Sequence, residues 1–396
     1  MKKLLLASAA TCLATGAFAE AHSDIKLGVM LGFTGPAESL APDMAAGAEA
    51  AMAEVTESGL LLDGKSVTPV RGDSTCIDAG AATAVAERMI TSDGVSGIVG
   101  ALCSGATGAA FQNVALPNGM VMISPSATSP GLSTIEDDGL FFRTAPSDAR
   151  QGVVMAEILL EEGIDEVAVT YTNNDYGKGL ADSFEAAFTE RGGTVTINAA
   201  HEDGKADYSA EVAALAAAGG DRLVVAGYLD RGGAGIIQAS LDSGAFDTFH
   251  LPDGMIGDSL EERFACDIPG STGQVPGTDS PGAAKMEEIG AARGFNGTGP
   301  FAPESYDAAA LILLAMQAAG STDPAEYKMH VMDVANAPGE PILPGELAKG
   351  LEILAAGGDI DYVGGSAVEL IGPGESAGNY RQILVEDCEF KTVGYR

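Results

Sequence analysis

Short apolar runs alternate along the chain with longer segments in which apolar residues recur every three or four positions. Residues 25–31 (IKLGVML) form a run typical of a strand buried on both faces, and the Ala-rich segment 43–57 has the spacing of an amphipathic helix. Strands separated by helices of this length pair in parallel, so this part of the chain is predicted to be a parallel α/β unit. Its remaining elements are predicted strands at 67–72, 95–100 and 120–124 and predicted helices at 79–91 and 104–116.

The alternation begins again after residues 141–146, which we interpret as a linker because Pro146 blocks continuation of a helix. A Gly-, Pro- and Ser-rich stretch at 269–281 follows this second unit. Since 396 residues exceed the roughly 250–300 at which one core stops growing, two α/β domains are expected. The second unit comprises predicted helices at 150–162, 178–191, 209–218 and 231–243 and predicted strands at 166–172, 194–199, 222–227 and 248–251, and after it come predicted helices at 282–293 and 304–319 and short β runs within 361–391.

The composition is that of a globular protein with a strong excess of acidic residues. Apolar residues make up 46% and charged residues 19% of the chain, which excludes an intrinsically disordered protein. The 21 Lys and Arg residues face 56 Asp and Glu residues, a formal net charge of −35. Phosphate backbones and anionic lipids repel such a surface, so nucleic-acid binding is not expected.

The N-terminus has the three parts of a secretory signal peptide. Two lysines precede an apolar run at 4–14, and small residues stand at Ala17 and Ala19, the positions that a signal peptidase recognises. The run is shorter than the ~20 residues that cross a bilayer. Residues 1–19 are therefore predicted to be removed on export, which for a bacterial leader means a periplasmic protein.

Four further cysteines follow this leader. An even number of cysteines in an exported chain indicates disulfides, and four cysteines allow three pairings. No two of them have CxxC spacing and none is near a histidine in sequence, so no metal site is expected. The four are Cys76, Cys103, Cys266 and Cys388.

Neither an enzyme activity nor a cofactor is predicted. Residues 59–66 (GLLLDGKS) match the phosphate-binding P-loop pattern, but a helix is predicted before them and a strand after them, the reverse of the order that points amides at phosphate. We interpret them as a helix–turn–strand connection. The sequence also shows no clear pairing of a nucleophile with a base.

Polar loops after two strands of the first unit are candidates for binding a carboxylate, because ligands of open parallel sheets bind at the carboxyl ends of strands. Ser104 is predicted to cap the helix after the third strand and to offer its hydroxyl to an anion. After the fourth strand, the amides of Ala127 and Thr128 and the Thr128 hydroxyl are predicted to meet the same anion. A purely structural Ser- and Pro-rich loop is the alternative.

The second unit offers two tyrosines and one carboxylate at its own strand ends. Tyr176, Tyr228 and Asp253 each follow a predicted strand. Aromatic faces pack against an alkyl chain or a cation, and a carboxylate opposite a carboxylate-binding loop suits a zwitterion. Asp253 followed by Gly254 is also the sequence of an ordinary turn.

Six segments in this order resemble the leucine/isoleucine/valine-binding branch of the periplasmic solute-binding proteins of ABC importers. The resemblance extends over nearly the whole chain after the leader. It implies a type I periplasmic binding protein fold, in which two doubly wound α/β lobes are joined by three crossover segments and close on a ligand in the cleft between them. The segments are 25–36 (IKLGVMLGFTGP), 72–76 (GDSTC), 102–104 (LCS), 122–128 (MISPSAT), 142–145 (FRTA) and 175–180 (DYGKGL).

The resemblance also implies roles for individual residues. Asp253 corresponds to the acid that binds the α-amino group, and it is one methylene shorter than the Glu of the leucine-binding members. Near Leu40 the family can carry a Trp against the ligand's side chain, and this chain has no Trp at all. The implied carboxylate-binding residues are Ser104, Ala127 and Thr128, and the implied ligand positions of the second lobe are Tyr176 and Tyr228.

The resemblance implies the pairing of the cysteines and the limits of the lobes as well. A family disulfide corresponds to Cys76–Cys103, which leaves Cys266 to pair with Cys388. The predicted lobes are residues 24–147 with 278–377 for lobe one, and residues 148–277 with 378–396 for lobe two.

The sequence therefore predicts a monomeric periplasmic receptor, not an enzyme, that captures a small neutral amino acid and delivers it to an ABC transporter permease. One alternative is the same fold binding an amide, urea or an aromatic or organic acid, which would not need Asp253 as an ammonium partner. A secreted α/β enzyme is another, and it would need a nucleophile with its base. A third is a sensory module that reports ligand occupancy to a receptor.

Overall fold

Two seven-stranded sheets, each flanked by helices, form the two lobes of the protein. The structure is a computed structural model and describes residues 24–396. The predicted signal peptide, residues 1–19, lies outside the described residues.

The first sheet is built mainly by the first α/β unit. The strands and helices of this unit are β1 (Ile25–Leu31), α1 (Ala41–Ser58), β2 (Val67–Asp73), α2 (Ala79–Arg88), β3 (Ile98–Gly100), α3 (Ser104–Ala110), β4 (Met122–Ser124) and β5 (Phe141–Pro146). The five strands are parallel and lie in the order β2–β1–β3–β4–β5. Both β3 and β4 are buried throughout, as expected of short parallel strands covered by helices on both faces.

The second sheet repeats this arrangement. Its unit comprises α4 (Asp148–Glu161), β6 (Glu166–Thr172), α5 (Asp175–Glu190), β7 (Thr194–His201), α6 (Ser209–Ala218), β8 (Arg222–Ala226), α7 (Gly232–Ser243), β9 (Phe249–Leu251), α8 (Asp258–Phe264) and β10 (Thr272–Pro276). The strand order β7–β6–β8–β9–β10 matches that of the first sheet. Such doubly wound sheets bind ligands beyond the carboxyl ends of their strands, so we expect the ligand site in the cleft between the lobes.

The remaining elements extend both lobes. They are α9 (Pro281–Arg293), α10 (Ala302–Ala319), α11 (Pro324–Tyr327), α12 (Val331–Ala335), β11 (Glu340–Ile342), α13 (Leu347–Ala355), β12 (Ile360–Tyr362), β13 (Leu370–Ile371), β14 (Glu375–Ser376), β15 (Tyr380–Glu386) and β16 (Glu389–Tyr395). The short strands β13 and β14 join the first sheet beside β5, and the antiparallel pair β15–β16 joins the second beside β10. Helix α10 packs closely on α1 at Gly47. A Cβ atom added at Gly47 would lie only 2.4 Å from the Ala302 carbonyl oxygen, so this position has no room for a side chain.

The chain passes between the two sheets three times, as the resemblance implied. The passages lie between β5 and α4, between β10 and α9, and between β14 and β15. The residue limits given above for the two lobes stay a prediction.

Two local predictions are corrected by the structure, and a strand is found in the Gly-, Pro- and Ser-rich stretch. Residues 141–146 are predicted to be a linker but form the buried strand β5. This strand lies between β4 and β14 in the first sheet, and Pro146 is its last residue. The stretch 269–281 contains β10. The helix predicted at 178–191 begins earlier, at Asp175, because the Asn174 side chain caps it by accepting from the Gly177 amide at 3.0 Å.

The segment that matches a P-loop is a helix–turn–strand connection, as predicted. Helix α1 ends at Ser58, Gly59 takes a left-handed conformation (φ 64°) after it, and β2 follows. Both cysteine pairs that the resemblance implied lie at bonding distance, with S–S separations of 2.03 Å for Cys76–Cys103 and 2.21 Å for Cys266–Cys388. Among residues 24–396, no helix has both the length and the apolar character needed to span a bilayer.

Candidate ligand-binding site

The loop that follows β3 forms one wall of a cavity between the lobes. Helix α3 begins at Ser104, with Cys103 in the N-cap position. The disulfide from Cys103 to Cys76 fixes this turn next to the loop after β2. The Ser104 hydroxyl accepts a hydrogen bond from the Ser129 amide at 3.1 Å. The prediction that Ser104 caps the helix is therefore wrong by one position, and its hydroxyl instead joins two loops.

Buried serine hydroxyls hold the loop after β4 against that wall. The Ser124 hydroxyl donates to the Ala101 carbonyl at 2.7 Å and accepts from the Ala127 amide at 3.0 Å. The Ala127 amide is thus already bonded, contrary to the expectation that it is exposed for an anion. Ala127 and Thr128 are fully buried, and among residues 24–396 the Thr128 hydroxyl has no partner that meets the geometry of a hydrogen bond.

Tyr176, Tyr228 and Asp253, predicted from three separate strand ends, meet at the opposite wall. The Tyr176 hydroxyl donates to Asp253 Oδ1 at 2.7 Å and accepts from the Gly254 amide at 3.1 Å. The rings of Tyr176 and Tyr228 stack with their centroids 5.1 Å apart. The structure therefore brings the two aromatic rings and the carboxyl group into one cluster.

A narrow cavity of ≈ 20 Å³ lies between these two walls. The lining contains five of the seven predicted ligand residues, whereas Ala127 and Thr128 lie behind it. The lining residues are Ala37, Leu40, Leu102, Cys103, Ser104, Ser126 and Phe301 from the side of the first sheet, and Tyr176, Tyr228, Asp253 and Gly254 from the side of the second.

Six of the lining residues are absent from the predicted ligand set, among them Ser126 and Phe301. The Ser126 hydroxyl donates to the Leu102 carbonyl at 2.9 Å, which joins the two loops of the first wall. Phe301 has a left-handed backbone (φ 61°), which is rare for phenylalanine, and it precedes α10. No sequence pattern predicts that backbone conformation. The only sequence feature that could have indicated Phe301 as a lining residue is its position, as an aromatic residue just before a predicted helix.

The Asp253 carboxyl group is buried, and only one of its two oxygens accepts hydrogen bonds within residues 24–396. It is 1% exposed, and its Oδ2 atom has no hydrogen-bond partner within the described chain. Burial raises the pKa of Asp253 above its ordinary value, while hydrogen bonds from Tyr176 and the Gly254 amide, and the nearby Gln151 side chain, oppose that rise. A buried carboxyl with one open oxygen is suited to a cationic or hydrogen-bond-donating group.

A second buried carboxyl group, that of Asp148, lies close to Asp253. Asp148 is the first residue of α4 and is fully buried, and neither of its carboxyl oxygens has a partner among residues 24–396. Burial raises the pKa of Asp148 well above its ordinary value and the charge of Asp253 raises it further, while the Thr128 hydroxyl and the Arg143 guanidinium oppose the rise. Sequence reasoning missed Asp148 because an acidic residue is ordinary at a helix start.

Two α/β lobes that enclose a small cavity beyond the ends of their strands define a receptor with the type I periplasmic binding protein fold. The sequence model of the periplasmic binding protein family matches residues 24–342, and the chain belongs to that family. A Leu/Ile/Val-binding protein homolog 1 from Brucella melitensis biotype 1 is 30% identical over 364 residues, which cover 87% of this chain and 95% of the relative.

Solved structures show the same fold. The crystal structure of a leucine-binding protein from Thermotoga maritima MSB8 matches with a TM-score of 0.78 at 21% identity, covering 94% of this chain and 98% of that chain. A solute-binding protein of an ABC transporter from R. palustris, crystallised in complex with benzoate, matches with a TM-score of 0.76 at 18% identity, covering 94% and 96% of the two chains.

Proposed function

We propose that this protein is a monomeric periplasmic receptor that binds a small neutral amino acid with an aliphatic side chain and delivers it to an ABC transporter permease. The observation that carries the proposal is the buried Asp253 carboxyl group, whose Oδ2 atom is open and which faces a cavity lined by leucine, tyrosine and phenylalanine side chains. An ammonium group satisfies the carboxylate, and an aliphatic side chain fills the apolar remainder of the cavity.

The charge of the whole protein favours a zwitterion over an anion. A formal net charge of −35 repels free anions, so the α-carboxylate must be bound by local hydroxyl and amide groups. Ser104 and Ser126 supply hydroxyls to the first wall of the cavity, and Thr128 lies behind them. A dicarboxylate would instead place a negative charge against Asp253.

The relatives support both the class of ligand and the role in transport. The Brucella relative is named for leucine, isoleucine and valine, and the Thermotoga neighbour for leucine. Delivery to a permease and a periplasmic location are supported by membership of the periplasmic binding protein family and by a structural neighbour that is a solute-binding protein of an ABC transporter. The same membership supports a binding protein rather than an enzyme.

An aromatic acid is the second candidate, and a specific observation favours it. The stacked rings of Tyr176 and Tyr228, together with Phe301 across the cavity, offer faces for an aromatic ring. The R. palustris neighbour holds benzoate in the same fold. Such a ligand leaves Asp253 without a cation, which ranks it below the amino acid.

Calorimetry with ligands that differ by one group tests the proposal. Leucine and 4-methylpentanoate have the same carboxylate and alkyl chain, and the second compound lacks the amino group. We expect leucine or another aliphatic amino acid to bind, and 4-methylpentanoate and benzoate to bind at least a hundred-fold more weakly, because a buried carboxylate without a partner costs roughly 3–5 kcal/mol.

Matched variants locate the effect. Asp253→Asn should lose most of the affinity for leucine, while Glu288→Gln removes one negative charge from an exposed ion pair with Lys285 and should leave the affinity unchanged. Tight binding of benzoate, unaffected by Asp253→Asn, would establish the aromatic acid instead.

A further inference from the structure

A second cavity, of ≈ 250 Å³, lies at the hinge formed by the second and third passages between the sheets, residues 277–280 and 377–379. The two passages are joined, since the Gly277 amide donates to the Asn379 carbonyl at 3.0 Å. Ser280 precedes α9 and Glu304 lies in α10, and both helices contact α1 of the first lobe. Arg381 belongs to β15 of the second sheet. All three side chains line the cavity, which is therefore built from both sides of the hinge.

Each of these three side chains has a polar atom without a hydrogen-bond partner among residues 24–396. The atoms are Ser280 Oγ, Glu304 Oε2 and Arg381 Nε. Glu304 is 1% exposed, and Ser280 and Arg381 are half-buried. Buried polar groups in proteins are nearly always paired, so three open groups around one cavity indicate a site for a molecule or ion that the chain itself does not supply.

Arg381 brings a positive charge without a counter-charge to this cavity. The two arginines that are buried in the described chain, Arg143 and Arg222, each bond a carboxylate, that of Glu375 and that of Glu162 respectively. Arg381, by contrast, forms no ion pair within 4.0 Å among residues 24–396. A guanidinium that is withdrawn from water and left unpaired is costly, so the cavity favours an occupant with a negative charge.

The start of α9 and the Glu304 carboxyl group add to this preference. Ser280 is the N-cap residue of α9, a helix of 13 residues, but its hydroxyl makes no capping hydrogen bond, and Ala283 and Ala284 of the first turn line the cavity. The positive end of the helix dipole is therefore directed at the cavity. Burial raises the pKa of Glu304 to about 8, so at neutral pH this carboxyl group is mostly protonated and can donate a hydrogen bond.

Negative groups nearby limit the charge that an occupant can carry. Asp279 and Glu287 also line the cavity, and both are exposed. Asp258 acts electrostatically on the guanidinium, and Asp307 acts on the buried carboxyl group. These carboxylates repel a multiply charged anion more strongly than a singly charged one.

We propose that the hinge cavity binds a small singly charged anion, either an inorganic ion or a short monocarboxylate, between the Arg381 guanidinium, the Ser280 hydroxyl and the Glu304 carboxyl group. The site shares no lining residue with the ligand cavity, so it is a second site and does not depend on which solute the cleft binds. Because the three groups come from both sides of the hinge, a bound anion ties β15 to α9 and α10.

The NMR line width of chloride in a solution of the whole protein at neutral pH measures this binding, because an ion held on a slowly tumbling protein relaxes faster than a free one. The wild-type protein should broaden the chloride signal, and formate or acetate should reverse the broadening by competition. Displacement by formate at concentrations below that of chloride assigns the site to a monocarboxylate, and displacement only at higher concentrations assigns it to an inorganic anion. Either order supports the site.

Three variants locate the anion. Arg381→Gln should weaken chloride binding about ten-fold or more, because the charge and its hydrogen bond are both lost. Arg293→Gln is the matched control, since it also removes a positive charge, but from an exposed pair with Glu57 at the other end of α9, and the broadening should stay unchanged. Ser280→Ala removes one neutral hydrogen bond and should weaken binding about three- to ten-fold.

Equal broadening by Arg381→Gln and wild type, or a wild-type signal that formate does not reverse, would overturn the inference and leave a cavity that holds only water. If Arg381→Gln does not fold, unchanged chloride affinity in Ser280→Ala overturns it. Neither result bears on the proposed function, which rests on the separate cavity between the lobes.

Discussion

Arg143 and Glu375 form a buried ion pair that joins β5 to β14, the strand before the third passage between the sheets. The Arg143 side chain is 1% exposed. The same guanidinium donates to the carbonyls of Ala127 at 3.0 Å and Ser129 at 2.9 Å. One arginine therefore fixes the loop behind the ligand cavity to the segment that leads into the second lobe.

Replacement of Arg143 by alanine should strongly destabilise the protein. The substitution leaves Glu375 and two buried carbonyls without partners, and breaking a buried pair in this way costs about 3–5 kcal/mol. Arg71→Ala is the control, since the pair of Arg71 with Glu49 is largely exposed and is worth less than ~1 kcal/mol. The free energy of unfolding in urea measures both, and equal losses would show that the buried pair has no special weight.

Tyr176→Phe should weaken ligand binding with little change of shape. The hydroxyl bridges Asp253 and the Gly254 amide, so its removal takes away one of the two hydrogen bonds that orient the carboxyl and costs roughly 1–3 kcal/mol. Tyr327→Phe is the control. It also removes a buried hydroxyl, which donates to the Ser96 carbonyl, and neither Tyr327 nor Ser96 lines the cavity. That control should lower stability and keep the affinity for leucine. Calorimetry in which both variants keep wild-type affinity would contradict the role of Tyr176.

The two disulfides should differ in their effect on ligand binding. Replacing either pair of cysteines by alanine should cost about 2–4 kcal/mol of unfolding free energy. Only the loss of Cys76–Cys103 should also lower the affinity, because Cys103 adjoins Ser104 in the cavity wall. The double variant lacking Cys266–Cys388 is the matched control, and a similar loss of affinity there would contradict this distinction.

Glu304 should make the protein less stable as the pH rises from about 5 to about 8. Burial raises the pKa of Glu304 from 4.5 to about 8 in the folded protein, so the folded state retains a proton that the unfolded chain releases. Its stabilising contribution is complete below the unfolded pKa and declines, by at most about 1.4 kcal/mol per pH unit, up to the folded pKa. The difference in unfolding free energy between wild type and Glu304→Gln should show this slope, and a difference independent of pH would refute it.

The fold was largely predictable because most of its helices are long and periodic and its buried strands lie within continuous apolar runs. The segments near the C-terminus were not, since α11, α12, β11 and β12 have five residues or fewer and fall below the window in which a period can be recognised. The segment 141–146 is predicted to be a linker because Pro146 indicates a break, whereas it forms β5. Its burial depends on pairing with Glu375 and Ser376, which are distant in sequence.

The candidate site was predictable where a residue directly follows a strand of a parallel sheet. Tyr176, Tyr228 and Asp253 were found by this rule, since strand ends converge on the cleft. Asp148 begins α4, directly after the first passage between the lobes, and Phe301 precedes α10. Their closeness to the cavity is a property of the assembled lobes, which local sequence does not encode.

The antiparallel pair β15–β16 gives the protein a vulnerable stage in its biogenesis. A chain synthesised from its N-terminus completes the five parallel strands of the second sheet at Pro276, long before Tyr380 becomes available to pair with β10. Throughout this interval β10 is an open sheet edge and Cys266 has no disulfide partner. Because open edges recruit strands from other molecules, the nascent protein needs chaperone protection most while its final residues are still being delivered.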